Sequence, residues 1–162
     1  MPTETQLDST ALCEQSRAPL FRYLRSLGLA PQDGEEVIQE VFLALLRHLA
    51  ESKPHDNLRA WLFRVAHNLC RKTQQRNIFN VPVAVADPTD PGPDPEQFAV
   101  LNQRHRNLAA VIRALPQRDR ACLSLRAEGF RYREIAEVLD ISLGAVAQSI
   151  ERSILRLNRA DR

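Results

Sequence analysis

The 162-residue sequence has no apolar run long enough to cross a bilayer. The longest, Val41-Phe42-Leu43-Ala44-Leu45-Leu46, is six residues, against the ~20 a spanning helix needs. Its first ten residues, MPTETQLDST, lack the basic start and apolar core of a secretory signal, so a cytoplasmic location is expected. Cysteine is scarce: Cys13, Cys70 and Cys122 are odd in number, far apart, and form no CxxC or Cys/His ligand spacing. That pattern predicts small buried hydrophobes in a reducing compartment, with neither a zinc site nor a disulfide framework. The five glycines are scattered, so no phosphate-cradling loop exists. His48, His55, His67 and His105 have no ligand spacing with Asp, Glu or Cys, and no nucleophile motif appears. No cofactor, metal or catalytic residue is therefore expected. Val, Ile and aromatic residues rarely alternate with polar ones, which disfavours a sheet and predicts an all-α fold.

Acidic residues are missing from Asn57 to Ala86, a stretch that holds Arg59, Arg64, Arg71, Lys72 and Arg76. The chain's net charge of +2 hides this segregation. Residues 17–86 sum to +4 and residues 99–162 to +5, whereas residues 87–98 carry −4. Two basic blocks flank an acidic connector, an electrostatic footprint suited to nucleic acid. The connector, VPVAVADPTDPGPDPEQ, holds five of the ten prolines and reads as a semi-rigid linker. The expected architecture is two small helical domains, at about 8–78 and 97–160, joined by the linker at 79–96.

In the first domain, Ser9 or Thr10 is a candidate cap for a helix that Gly28 ends, with Pro19 a candidate kink. Pro31 suits the first turn of a second helix running to about Ala50. Val37, Ile38, Val41, Phe42, Leu45, Leu46 and Leu49 fill one half of its wheel. The other half holds Glu36, Gln39, Glu40 and Arg47 around Leu43, either an unremarkable exposed leucine or an apolar anchor in a partner surface. A third helix runs from about Leu58 to Gln75, with Trp61 on its core stripe. Arg64, His67 and Arg71 lie opposite, and Asn68 sits at the stripe's edge. Phe63 lies off the stripe, as a stacking platform for a base or a satellite core contact.

In the second domain, a helix over about 96–114 uses Phe98 and Leu101, and another runs between Pro116 and Gly129. Two short amphipathic segments follow in YREIAEVLDISLGAVAQSI. Ile135, Ala136 and Leu139 face one way, Leu139-Asp140-Ile141 makes a turn, and Ser142 is a good N-cap. This spacing predicts a helix-turn-helix whose second helix enters the major groove. Its outward face carries Ala145, Gln148, Arg152, Arg156 and Arg159. Gln148 suits adenine, Arg152 guanine or phosphate, and Arg131 and Arg133 suit phosphates. With so few base-reading groups, this module alone should bind DNA weakly.

The segment LPQRDRACLSLRAEGFRYREIAEVLDISLGAVAQSIERSILRL resembles the promoter-binding domain of bacterial RNA polymerase sigma factors. DGEEVIQEVFLALLRHL and NLRAWLFRVAHNLCRKTQQR resemble their core-binding and melting domain. The layout, without a middle domain, is that of the extracytoplasmic-function class. The resemblance implies that Glu36, Gln39, Glu40, Leu43 and Arg47 dock on the β′ coiled coil of core polymerase, and that Leu155 meets the β flap. It implies that His55, Asp56, Asn57, Arg59, Trp61, Phe63, Arg64, His67, Asn68 and Arg71 open and hold the minus-ten element. It gives Arg131, Arg133, Ser142, Ala145, Gln148, Arg152 and Arg156 the minus-thirty-five element. Promoter DNA, core polymerase and an anti-sigma protein are the implied partners. Where relatives often carry Thr-Val-Lys in the recognition helix, this chain has Ala145-Val146-Ala147, which implies weaker minus-thirty-five affinity. A stand-alone helix-turn-helix regulator is the alternative; it explains residues 130–158 but neither the basic third helix nor the linker.

Overall fold

The computed structural model describes residues 4–51, 56–78 and 95–162, so His55 and most of the expected linker lie outside it. The side chains of Phe98 and Leu101 are likewise outside the description. The described residues form seven helices: α1 (Glu4–Ser26), α2 (Pro31–Ala50), α3 (Leu58–Asn77), α4 (Pro95–Ala114), α5 (Gln117–Ala127), α6 (Tyr132–Leu139) and α7 (Leu143–Ala160). No strand occurs among them. No helix among them is long and apolar enough to cross a membrane.

α1 differs from the sequence expectation. It starts at Glu4, passes Ser9 and Thr10 without capping there, and continues through Pro19. Ser9 is buried instead of standing at a helix entry. The helix nevertheless ends where expected. Gly28 adopts φ +91°, Leu29 N donates to Leu24 O, and Gly28 N donates to Arg25 O. α5 ends the same way: Gly129 is at φ +92°, Phe130 N donates to Leu125 O, and Gly129 N to Arg126 O. In both, the arginine four residues before the closing residue donates back to it, Arg25 to Leu29 O and Arg126 to Phe130 O. These are Schellman-type ends, in which a left-handed glycine lets the chain reverse and a following apolar residue packs against the last turn. Leu29 and Phe130 are accordingly buried.

The core of α1–α3 comes from Leu20, Tyr23 and Leu24 of α1, Val37, Ile38, Val41 and Leu45 of α2, and Leu62, Phe63, Ala66 and Cys70 of α3. In the second group, Ala121, Cys122 and Leu125 of α5 meet Ile135 and Val138 of α6 and Val146 and Ile150 of α7. The two groups share one continuous core, since α3 lies on α6 and α1 on α5. At the seam, the Phe63 and Phe130 rings meet edge to face with centroids 4.8 Å apart, a favoured aromatic geometry. Cys70 and Cys122 are buried free thiols, and burial pushes the Cys70 thiol up to about 11.

Because Gly129 needs a left-handed backbone, Gly129→Ala is expected to cost about 1–2 kcal/mol, even though no atom lies within 4 Å of the added methyl. Urea unfolding checks this; an unchanged midpoint would show that the turn relaxes freely.

Candidate polymerase and nucleic-acid interfaces

On α2, helical periodicity buries Val37, Ile38, Val41 and Leu45 and turns the opposite face to solvent. Glu36, Gln39, Glu40, Leu43 and Arg47 are all exposed there. Leu43 is 52% exposed, and Leu46, one turn on, is 55% exposed. The sequence wheel put Leu46 in the apolar half, so its exposure went unread. The two leucines, set among charged neighbours, make an apolar spot that no described part of the fold covers.

Asn57 caps α3: it is itself left-handed (φ 52°) and its side chain accepts a hydrogen bond from Ala60 N at 3.2 Å. Arg64, Asn68 and Arg71 project from α3 into solvent. Asp56 is exposed beside them, and Trp61 is half-buried, stacked on His48 at 4.5 Å. Trp61, Asp56, Asn57, Ala60 and Arg64 line a cleft of about 130 Å³ whose far wall is Glu137 and Val138 of α6. Four residues expected to meet DNA stand differently. Phe63 is fully buried between Tyr23 and Phe130, so it offers no stacking face in this arrangement. His67 is turned inward, with Nδ1 2.8 Å from the Tyr23 hydroxyl. Burial, aided by the Arg71 charge, lowers its pKa to about 4, so it is neutral at pH 7. Asn57 donates its side-chain amide to Glu134 Oε1 at 3.0 Å. Arg59 donates to the Glu128 carbonyl at 2.7 Å and lies over the Phe130 ring at 4.3 Å. Periodicity reads a helix's two faces but not what lies across them, and all four partners are distant in sequence.

A tight turn joins α6 to α7. Asp140 takes φ 53°, and Ser142 caps α7 by accepting from Ala145 N at 3.1 Å. Glu134 Oε2 accepts from Arg131 N at 2.7 Å, closing the start of α6 where Arg131 has no side-chain acceptor to offer. Arg131, Arg133, Gln148 and Arg156 are exposed, and Ala145 is half-buried. The mouths of the two helices enclose an open groove of about 800 Å³, lined by Arg131, Tyr132, Arg133, Glu134, Leu143, Gly144 and Ala147. Leu143, half-exposed there, is a groove residue the sequence reading missed. Arg152 is not a free cation. Its guanidinium grips buried Asp119 of α5 through two hydrogen bonds of 2.9 and 2.8 Å. These bonds hold the Asp119 carboxyl below the usual carboxylate range. Leu155 is 58% exposed on the outer side of α7, beside Glu151 and Arg159. No group of three or more His, Cys, Asp or Glu side chains among the described residues could hold a metal ion.

Comparison with known proteins accounts for both helix groups. Residues 12–77 match the family model "Sigma-70 region 2" and residues 105–157 match "Sigma-70, region 4". The chain belongs to the sigma-70 family of RNA polymerase sigma factors, in its extracytoplasmic-function class. It is 28% identical over 151 residues to RNA polymerase sigma factor CnrH of Cupriavidus metallidurans, covering 86% of this chain and 78% of that one. It is 26% identical over 145 residues to RNA polymerase sigma factor YlaC of Bacillus subtilis, covering 86% and 82%. A probable sigma factor, RfaY of Xanthomonas campestris, is 28% identical over 126 residues, and there the match spans 32% of the longer relative. Among solved structures, sigma factor RpoE of Bartonella quintana, in complex with the anti-sigma factor NepR, superposes with a TM-score of 0.69 at 17% identity. It covers 97% of this chain and 96% of that one. CnrH in complex with the cytosolic domain of CnrY gives 0.66 at 25% identity, covering 95% and 87%.

Arg152→Ala leaves the Asp119 carboxylate buried without its partner. A loss on the order of 2 kcal/mol is expected, smaller than for a fully enclosed pair because the guanidinium is itself partly exposed. Chemical denaturation checks it, and an unchanged midpoint would free Arg152 for DNA. His67 gives a pH signature. Its folded pKa lies below its unfolded value, so the unfolded chain takes up a proton first, and stability falls as pH drops from about 6.5 towards about 4. His67→Gln should flatten that decline; the measurement is the urea midpoint across this window, and an unaltered slope would assign the decline to other groups.

Proposed function

We propose that this chain binds core RNA polymerase and confers promoter choice on it, the polymerase supplying the chemistry. The observation that carries the reading is the exposed row Glu36, Gln39, Glu40, Leu43 and Arg47 on α2, set in the same chain as a helix-turn-helix. A stand-alone DNA-binding regulator would leave that row without a use. In this reading residues 8–78 form the unit that docks on the β′ coiled coil and opens the minus-ten element, with Leu46 joining Leu43 as anchor. Residues 97–160 read the minus-thirty-five element, and 79–96 connect them. Arg64, Asn68 and Arg71 supply strand contacts from α3, with Asp56 and Trp61 beside the cleft. At the minus-thirty-five element, Arg131, Arg133 and Arg156 hold phosphates while Gln148 and the apolar mouth of the groove meet base edges. Arg152 drops out of the base-reading set because Asp119 holds it. Leu155 faces the β flap. An anti-sigma protein is a further partner, in keeping with the anti-sigma complexes of the two similar structures.

The test is run-off transcription with purified core polymerase on sheared genomic DNA, with transcript starts sequenced. Discrete starts sharing two upstream motifs are expected. No starts and no co-elution with core would overturn the reading. Leu43→Glu is expected to weaken core binding by about 2 kcal/mol or more with an unchanged unfolding midpoint, since the residue contributes nothing to the core. Wild-type affinity measured by co-elution or anisotropy would remove Leu43 from the interface.

A further inference from the structure

The groove between α6 and α7 has two chemically distinct sides. On the α6 side stand the exposed cations Arg131 and Arg133. On the α7 side the lining residues are Leu143, Gly144 and Ala147. Leu143 and Ala147 are one helical turn apart and so share a face. None of these three side chains carries a hydrogen-bond donor or acceptor. Glu134 also lines the groove, but both its oxygens are engaged: Oε2 accepts from Arg131 N and Oε1 from Asn57 Nδ2. Leu143 is 48% exposed, a large apolar side chain left open at the start of a helix. Gly144 has no use within the described fold. Its backbone is not left-handed, and an added Cβ would meet nothing within 4 Å. A glycine inside a helix lowers stability relative to alanine, so what it supplies there is room for a molecule outside the chain.

We propose that Leu143 and Ala147 read the C5-methyl groups of thymine in duplex DNA, and that Gly144 lets the first turn of α7 come close to the base edges. The charged side of the groove fits phosphates, which places the apolar side against the bases. In the major groove thymine alone presents an apolar group. Donors and acceptors of the other bases would be desolvated against Leu143 without a partner, which is unfavourable. The wall therefore selects by a methyl contact and by rejection of polar edges. The inference rests on the reading of α6 and α7 as the minus-thirty-five contact, and it names the chemical group read there.

The experiment selects duplex DNA from a pool with a randomised segment, once on the full-length chain and once on its complex with core polymerase. The winning duplex is remade with deoxyuridine at each thymine in turn, which deletes the methyl and keeps the pairing. At one or more positions wild type is expected to bind about fourfold more weakly, the ratio that ~0.8 kcal/mol for one buried carbon corresponds to. Leu143→Ala should lose that penalty, binding the thymine duplex as weakly as the deoxyuridine one. Gly144→Ala is expected to bind both duplexes more weakly while its urea midpoint stays the same or rises, a combination that a merely structural glycine would not give. Equal binding of thymine and deoxyuridine duplexes by wild type would overturn the proposal. So would a selected motif without thymine, a penalty unchanged in Leu143→Ala, or selection of no sequence at all. Binding by Gly144→Ala as tight as wild type would overturn the close approach. A sequence selected with core polymerase but indifferent to deoxyuridine sinks the methyl contact alone. A Leu143-dependent penalty on the chain alone, with no complex formed with core, sinks the polymerase reading and keeps the methyl contact.

Discussion

Phe130 packed on Phe63, with Glu128 held between Arg22 and Arg59, is the contact on which the arrangement of the whole chain depends. Without it, α1–α3 and α4–α7 would be two small helical groups, each with an open apolar flank. With it, their cores merge and the helix-turn-helix lies against α3. The surrounding polar contacts are of a different kind. Asn57–Glu134, Gln74–Gln117 and Ser26–Ser124 are single hydrogen bonds at or near the surface, each contributing on the order of 1 kcal/mol or less. An apolar centre ringed by such bonds resembles a separable interface between domains more than the interior of one.

The geometry of the corner follows from a short sequence pattern that occurs twice. Leu24-Arg25-Ser26-Leu27-Gly28-Leu29 and Leu125-Arg126-Ala127-Glu128-Gly129-Phe130 share leucine, arginine, glycine and a closing apolar residue at the same spacing. In each, the glycine reverses the chain, the arginine ties back to the closing carbonyl, and the closing side chain is driven inward. In the first copy the inward residue is a leucine that serves the core of its own group. In the second it is a larger ring that reaches across to α3, with an acid two residues earlier positioned for the arginines. One local device thus serves a helix end in one place and a long-range contact in the other.

This also explains which features were legible in the sequence. The limits of α2 and the turn at Asp140 depend on neighbours within a few residues, and the sequence displays those. The exposed row on α2 followed from a 3.6-residue period and one misplaced leucine. The fates of Phe63, His67, Asn57, Arg59 and Arg152 depend on partners 33 to 77 residues away. An arginine bound to a buried aspartate and one open to phosphate look alike in a helical wheel. Local signals marked out the polar faces of the helices but could not separate residues that face solvent from residues already engaged.

The two faces of the first helix group are not equivalent in this arrangement. The α2 row is open, while Phe63 of α3 is buried against Phe130 and Asn57 and Arg59, at the start of that helix, are hydrogen-bonded to the α5–α6 corner. A partner that touched the α2 row alone would bind closed and separated forms equally well, and equal affinity for two states shifts neither. Separation needs a ligand whose contacts exist only when α6 has left α3. A partner gripping α2 and α7 at once, at a spacing the closed chain cannot match, meets that requirement. Engagement at two points makes the second contact effectively intramolecular, so it can supply a few kcal/mol without any single strong contact.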